Sequence, residues 1–262
     1  MFWGRPEFSS SISNKLEVFV KILNTESVLL CLQLLFFSSF YFVQIITISS
    51  VSNVMRDFII KFAQTIGQIL TAPMLILFLL SKNKEVIILD VSQWIKRLDN
   101  GKKESSPDWL KLLYLLSIYQ EFRNIYYYRI KKGGLIGFVL TQVFRIFYKQ
   151  CPSLFLYTNN IGSGLFIQHG FSTIISADSI GENCSVSQQV TIGYNTKGRP
   201  IIGNNVSIGA GAKVIGKVTI DDNVKVGANA VVAKNVPKNC VVVGVPAYIV
   251  KRDGVKVKEQ LI

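Results

Sequence analysis

His169 is the only histidine among the 262 residues, so any proton transfer that needs an imidazole falls to it. An imidazole near its ordinary pKa takes a proton from a hydroxyl at neutral pH, and such catalysis contributes roughly a hundred- to ten-thousand-fold in rate. One histidine argues against a zinc site built on several imidazoles, and no metal is expected. The four cysteines, Cys31, Cys151, Cys184 and Cys240, are scattered and form no CxxC pair. Neither a disulfide framework nor a metal cluster is indicated, and Cys184 reads as a small packed thiol.

What positions His169 is a repeat. From Ile180 the chain divides into IGENCS, VSQQVT and IGYNTK, then, after an interruption, IGNNVS, IGAGAK, VIGKVT, IDDNVK, VGANAV and VAKNVP. A six-residue period fits neither an amphipathic helix nor a two-sided sheet; it is the mark of a parallel β-helix. The first slot is always Ile or Val, as a short strand facing an apolar interior requires. The fourth slot is most often Asn or Gly, the residues that best accept a positive φ at a sharp corner. Two earlier hexads, IGSGLF and IQHGFS, carry the pattern back to Ile161, with one extra residue before Ile180. Three hexads make one triangular coil, so about four coils are expected, starting near Ile161, Ile180, Ile202 and Ile220. The surplus around 196–200 must leave the stack as a loop.

Register turns the repeat into a chemical argument. His169 is third in its hexad, and the equivalent places in the following coils are Gln188, Ala210 and Ala228. An imidazole at the top of a column that shrinks to methyl groups suits a long thin ligand held along the slot, reactive end at His169. Lys234, Lys251 and Arg252 would supply charge at the lower end. The net charge of +13 points to an anionic partner: a phosphate-bearing cofactor, an acidic membrane surface or nucleic acid. No zinc-finger spacing, RNP-like aromatic motif or basic helix running into heptads is present, so nucleic acid is not expected.

Ahead of the repeat, Val28 to Ile48 has no charged residue and is long enough to cross a bilayer, while Ile66 to Leu80 is interrupted by Pro73. Membrane contact through Val28 to Leu80 is one expectation; burial of both stretches as helices in an oligomer core is the other. Residues 81–108 read as a linker into a new unit. A helix is expected from Trp109, capped by Asp108, running to Gly133 and Gly134, with another over about 136–149. The division is 1–84, apolar and helical; 85–158, a helical domain; 159–250, the β-helix; and 251–262, a mobile tail.

The motifs IGSGLFIQHG, SIGENCSVSQQVTIG, IGNNVSIGAGAKVIG, VGANAVVAKNVP and VVGVPAYIVKR resemble the serine acetyltransferase branch of the hexapeptide-repeat acyltransferases, in versions found with bacterial surface-polysaccharide genes. The resemblance spans residues 109–254. It implies an α+β protein, helices first and a left-handed parallel β-helix after, against the usual hand of parallel connections. It implies a trimer or dimer of trimers, with acetyl-CoA between neighbouring prisms and a cytoplasmic location, either free or on the cytoplasmic face of the membrane. His169 matches the general base; Gly209, Ala210, Gly227 and Ala228 match positions beside the pantetheine arm; Lys234 and Lys251 match basic positions near the phosphates. On the acceptor side, acids and a second histidine are replaced by Gln168, Leu154 and Arg199, with Gln188 beneath. No carboxylate is then left for an amino-acid ammonium, so a polysaccharide sugar hydroxyl is the expected acceptor and L-serine the alternative. A non-catalytic membrane scaffold is the reading from another class.

Overall fold

The computed structural model describes residues 53–99 and 105–261. Val28 to Ile48 and Ile262 lie outside the described residues. The described residues from 64 onward belong to one compact unit.

Among the described residues six helices precede the strands: α1 (Asn53–Thr71), α2 (Met74–Leu80), α3 (Lys84–Asp99), α4 (Asp108–Ile118), α5 (Gln120–Lys132) and α6 (Leu135–Phe147). Among the described residues no single helix is long and apolar enough to cross a membrane. Only the bent pair Asp57–Thr71 and Met74–Leu80, 51° apart around Pro73, passes by length and composition together. The stretch expected as a linker is largely α3, which buries Ile87, Asp90, Val91 and Trp94. Its aliphatic residues follow the helical period, and the polar residues on either side of it gave the linker its appearance.

The single long helix expected after Asp108 is two. Pro107, not Asp108, holds the cap position, and Asp108 pairs with Lys111 inside the first turn at 3.2 Å. Tyr119 is extended at φ −101° and ψ 106°, which ends α4 and starts α5. The break leaves carbonyls at the end of α4 without helical partners. Arg123 collects two of them, donating from Nε to Leu116 O at 2.6 Å and from Nη2 to Ser117 O at 3.1 Å.

The strands form a three-faced prism. One face stacks β1 (Leu154–Leu156), β4 (Thr173–Ile175), β7 (Thr191–Gly193), β10 (Lys213–Ile215) and β13 (Val231–Val232). The second stacks β2 (Asn160–Ile161), β5 (Ser179–Ile180), β8 (Ile201–Ile202) and β11 (Thr219–Ile220). The third stacks β3 (Phe166–Ile167), β6 (Ser185–Val186), β9 (Ser207–Ile208), β12 (Lys225–Val226) and β14 (Cys240–Val243). This is the helix-then-left-handed-β-helix architecture that the resemblance implies. There are about five coils rather than four, because β1 pairs in parallel with β4 and opens a coil before Ile161. Ile or Val fills each first slot of the hexads from Ile180 onward and is buried there. Asn183, Asn205, Asn223 and Asn229 hold φ near +56° to +60° at the corners, as the fourth slot requires.

The C-terminal residues are ordered strand, not a mobile tail. β15 (Tyr248–Arg252) runs antiparallel to β14, and β16 (Val255–Gln260) runs antiparallel to β15. Leu261 is buried behind them. Alternating residues of VKVKEQ pair well once a β-hairpin brings them back, a signal that a charged terminal octapeptide hides.

Helices α3 and α5 close the first coil of the prism through polar groups. Asp90 accepts from Arg129 Nε at 2.8 Å and Nη2 at 3.2 Å, and from the Gly164 N–H at 2.7 Å. Arg129 also donates to the carbonyls of Ile161 and Gly162, both at 2.6 Å. Burial pushes the Asp90 carboxyl up, and the facing guanidinium and the Gly164 amide oppose that shift. Trp94 Nε1 donates to Leu165 O at 2.8 Å, and Asn124 bridges Cys151 and Leu154. In the aromatic EFRNIYYYR segment, Phe122, Ile125, Tyr126 and Tyr127 are core.

Candidate active site

His169 lies just beyond β3, in the first coil, and its side chain is exposed. The strand register places Ile167, Val186, Ile208, Val226 and Val242 side by side. Continued two residues outward, it aligns Gln188, Ala210, Ala228 and Gly244, with His169 above them by residue count alone. The ladder is intact as far as Gln168, whose N–H donates to Val186 O at 2.9 Å.

Beyond Gln168 the first coil departs from the others. From Ile167 to Ile175 the chain takes eight residues, where the equivalent Val186–Ile192, Ile208–Val214 and Val226–Val232 spans take six. The next side, Ile175 to Ile180, is one residue shorter than the hexad. The one extra residue visible in the sequence is therefore a two-residue enlargement at His169 less one residue at the next side. In the lower coils the residue after the column donates to the column carbonyl above: Gly211 to Gln188 and Asn229 to Ala210. Here Gln189 donates to Phe171 O instead, and the His169 carbonyl accepts from Phe171 N–H at 2.7 Å. His169 itself stands at φ +51°, uncommon for a side chain of its size. The exposed imidazole thus stands at a corner whose backbone differs from those below it.

A residue that sequence reasoning missed holds that corner. Glu121, in the first turn of α5, accepts the Gly170 N–H on Oε1 at 3.2 Å. A Cβ on residue 170 would stand 2.9 Å from Glu121 Cγ and 3.0 Å from Leu154 Cδ2, so only glycine admits this approach. A carboxylate thus reaches the backbone beside His169 from a helix 48 positions earlier. Nothing in the hexad register could have located it. Leu154, by contrast, is buried and apolar at the place where the resemblance expects an acid.

Below His169 the wall is small. Gln188 and Ala210 are half-buried and Ala228 is exposed. The amides of Gly209 and Gly227 donate within the ladder, each at 2.8 Å, to Val226 O and Val242 O. Those two residues keep the wall narrow, and Ala210 and Ala228 face outward as the candidates for contact with a thin ligand. Lys234 Nζ donates to Leu261 O at 3.0 Å and is tied to the C-terminal strand. Lys251 is exposed on β15. Arg199 lies on the expected loop, which Asn195 and Gly198 close by a pair of 3.1 Å hydrogen bonds; its guanidinium sits 5.6 Å from the Tyr194 ring centroid. The register thus lines up Gln188, Ala210 and Ala228, with Gln168 and His169 at the enlarged corner above them. Arg199, Lys234 and Lys251 are not in that column. Among the described residues no group of three or more His, Cys, Asp or Glu side chains could hold a metal ion.

Residues 199–234 match the model of the bacterial transferase hexapeptide (six repeats) family. The matched repeats are those that build the lower coils of the prism. The chain is 43% identical over 102 residues to a serine acetyltransferase of Synechococcus elongatus, covering 37% of this chain and 42% of that one. It is 41% identical over 130 residues to a serine acetyltransferase of Staphylococcus xylosus, covering 47% and 58%. The chain spans about half the length of the curated relatives it matches. A solved serine acetyltransferase from Brucella abortus in complex with coenzyme A is 26% identical, covering 66% of this chain and 69% of that one, with a TM-score of 0.49.

Proposed function

We propose that this protein is an acetyl-CoA-dependent O-acetyltransferase whose general base is His169. The observation that carries the reading is the column of His169, Gln188, Ala210 and Ala228: an exposed imidazole above a wall of methyl groups. The thioester would lie with its pantetheine arm along Ala210 and Ala228, in a groove completed by a neighbouring prism of a homotrimer. His169 takes the proton of the acceptor hydroxyl as the oxygen forms its bond to the acetyl carbonyl carbon. The carbon–sulfur bond then breaks, and the coenzyme A thiolate leaves and takes up that proton. Lys251 and, once released from Leu261 O, Lys234 are the cations available to the cofactor's phosphates.

For the acceptor, L-serine is the better-supported reading, and the sugar expected from the sequence takes second place. The relatives that match at over 40% identity are named serine acetyltransferases. The case against serine rested on the absence of a carboxylate near His169, and Glu121 supplies one at the adjacent backbone. A charged ammonium is stabilised by such a group, whereas a sugar hydroxyl gains little from it. The buried Leu154 is the observation that keeps a neutral sugar acceptor as the second reading.

Thiol release from acetyl-CoA in the presence of L-serine tests this directly. Turnover with serine is expected, and Glu121→Ala should raise KM for serine by about tenfold or more while Glu121→Asp retains part of the affinity. Turnover with a polysaccharide precursor and none with serine would reverse the order of acceptors. Absence of acetyl transfer to either, together with absence of acetyl-CoA binding, would favour a non-catalytic scaffold.

A further inference from the structure

The outward half of α6 is apolar. Leu135, Ile136, Phe138, Val139, Val143, Ile146 and Phe147 are 48% to 78% exposed, and Gln142 is the one exposed polar side chain among them. At 100° per residue these positions occupy one contiguous half of the helix. The inward face is the more polar and smaller one. Thr141 is fully buried and donates to Gly137 O at 2.7 Å, and Gly137 lies so close to the Ile130 carbonyl that no Cβ fits between them. Leu140 and Phe144 also pack inward, yet most of the large apolar side chains of the helix point outward, the reverse of a surface helix in water. α2 packs beside it and adds Ile76, Leu79 and Leu80, each more than half exposed.

Along the chain that carries α2 and α6 the charges are of one sign. No Asp or Glu occurs from Phe122 to Ala177 or from Phe58 to Lys84. Lys131 and Lys132 end α5 just before α6, Arg145 lies in the last turn of α6 and Lys149 just beyond it, and Lys82 follows α2. We infer that the α6–α2 face docks on an anionic lipid bilayer, with the apolar half of α6 lying in the interface and the cations at the headgroups. Thirteen residues make a helix of roughly 20 Å, too short for the ~30 Å hydrocarbon core, so α6 lies along the surface. A second copy of the chain fits less well. A two-fold contact through α6 would set these lysines and Arg145 against their own copies with no carboxylate of α6 between them. This inference is independent of the acetyltransferase reading, because none of these residues belongs to the candidate active site.

The test is co-sedimentation of the full chain with phosphatidylcholine vesicles, with and without phosphatidylglycerol. Binding is expected to the mixed vesicles, and Ile136→Ser/Val139→Ser/Ile146→Ser should weaken it at least tenfold with an unchanged circular dichroism spectrum. Lys131→Gln/Lys149→Gln should reduce the dependence on phosphatidylglycerol and leave the fold intact. Unchanged binding of the serine variant would overturn the inference and place any membrane attachment elsewhere in the chain. A vesicle-free dimer that the serine variant abolishes would overturn it in favour of a second copy.

Discussion

The prism and the helical region that closes its first coil are stabilised in different ways. In the prism each coil repeats the one above, and a residue's slot decides whether it faces the interior, turns the corner or forms the outer wall. In the helical region no position repeats. A few polar side chains, Asp90, Arg129, Asn124 and Trp94, tie α3 and α5 to the first coil by directed hydrogen bonds. Stability in a repeat is spread over equivalent rungs and their neighbours. Stability in the closing helices is concentrated, and the candidate chemistry lies where the two meet, at the enlarged corner held by Glu121.

Removing one member of the concentrated network should have the largest effect. Asp90→Ala strands the buried Arg129 guanidinium and should cost about 3–5 kcal/mol, read as loss of denaturant midpoint in equilibrium unfolding. A loss no larger than that of a single rung would erase the contrast between the two regions. Within the prism, burial pushes the Cys184 thiol up to about 11 from its ordinary 9. A thiol whose folded pKa is raised contributes stability below the unfolded pKa and loses it as pH rises through the folded one. Between about pH 9 and 11 the wild type should therefore lose roughly 2 kcal/mol more than Cys184→Ala, in denaturant titrations at the two pH values. The smallest effect belongs to single rungs: Ile202→Val and Ile220→Val should each cost about 0.5–1.5 kcal/mol. Their agreement with each other sharpens the claim of equivalence, and a several-fold difference between them breaks it.

The same contrast explains what could be read from the sequence. The repeat announced itself because Ile180, Val186, Ile192 and their successors must all face one interior. That periodicity delivered the register, and with it the column below His169. Other features left no periodic trace. The helix break at Tyr119 involves neither glycine nor proline, and the carbonyls it frees are satisfied by Arg123 from the next helix. The opening coil at β1 has Leu154, Phe155 and Leu156 in place of the hexad signature. The enlargement at His169 was masked because a shortened side follows it. Glu121 reaches the site by tertiary packing alone, so the acceptor preference drawn from the missing acids came from the one part of the site that the repeat does not encode.

The proposal stands or falls on His169, at that enlarged corner, acting as the base for acetyl transfer along the Ala210 and Ala228 slot. The most direct measurement compares wild type and His169→Ala for thiol release from acetyl-CoA with L-serine, alongside coenzyme A affinity by calorimetry. The account predicts a fall in kcat of roughly a hundred- to ten-thousand-fold with coenzyme A affinity unchanged. Full turnover by the variant would contradict it.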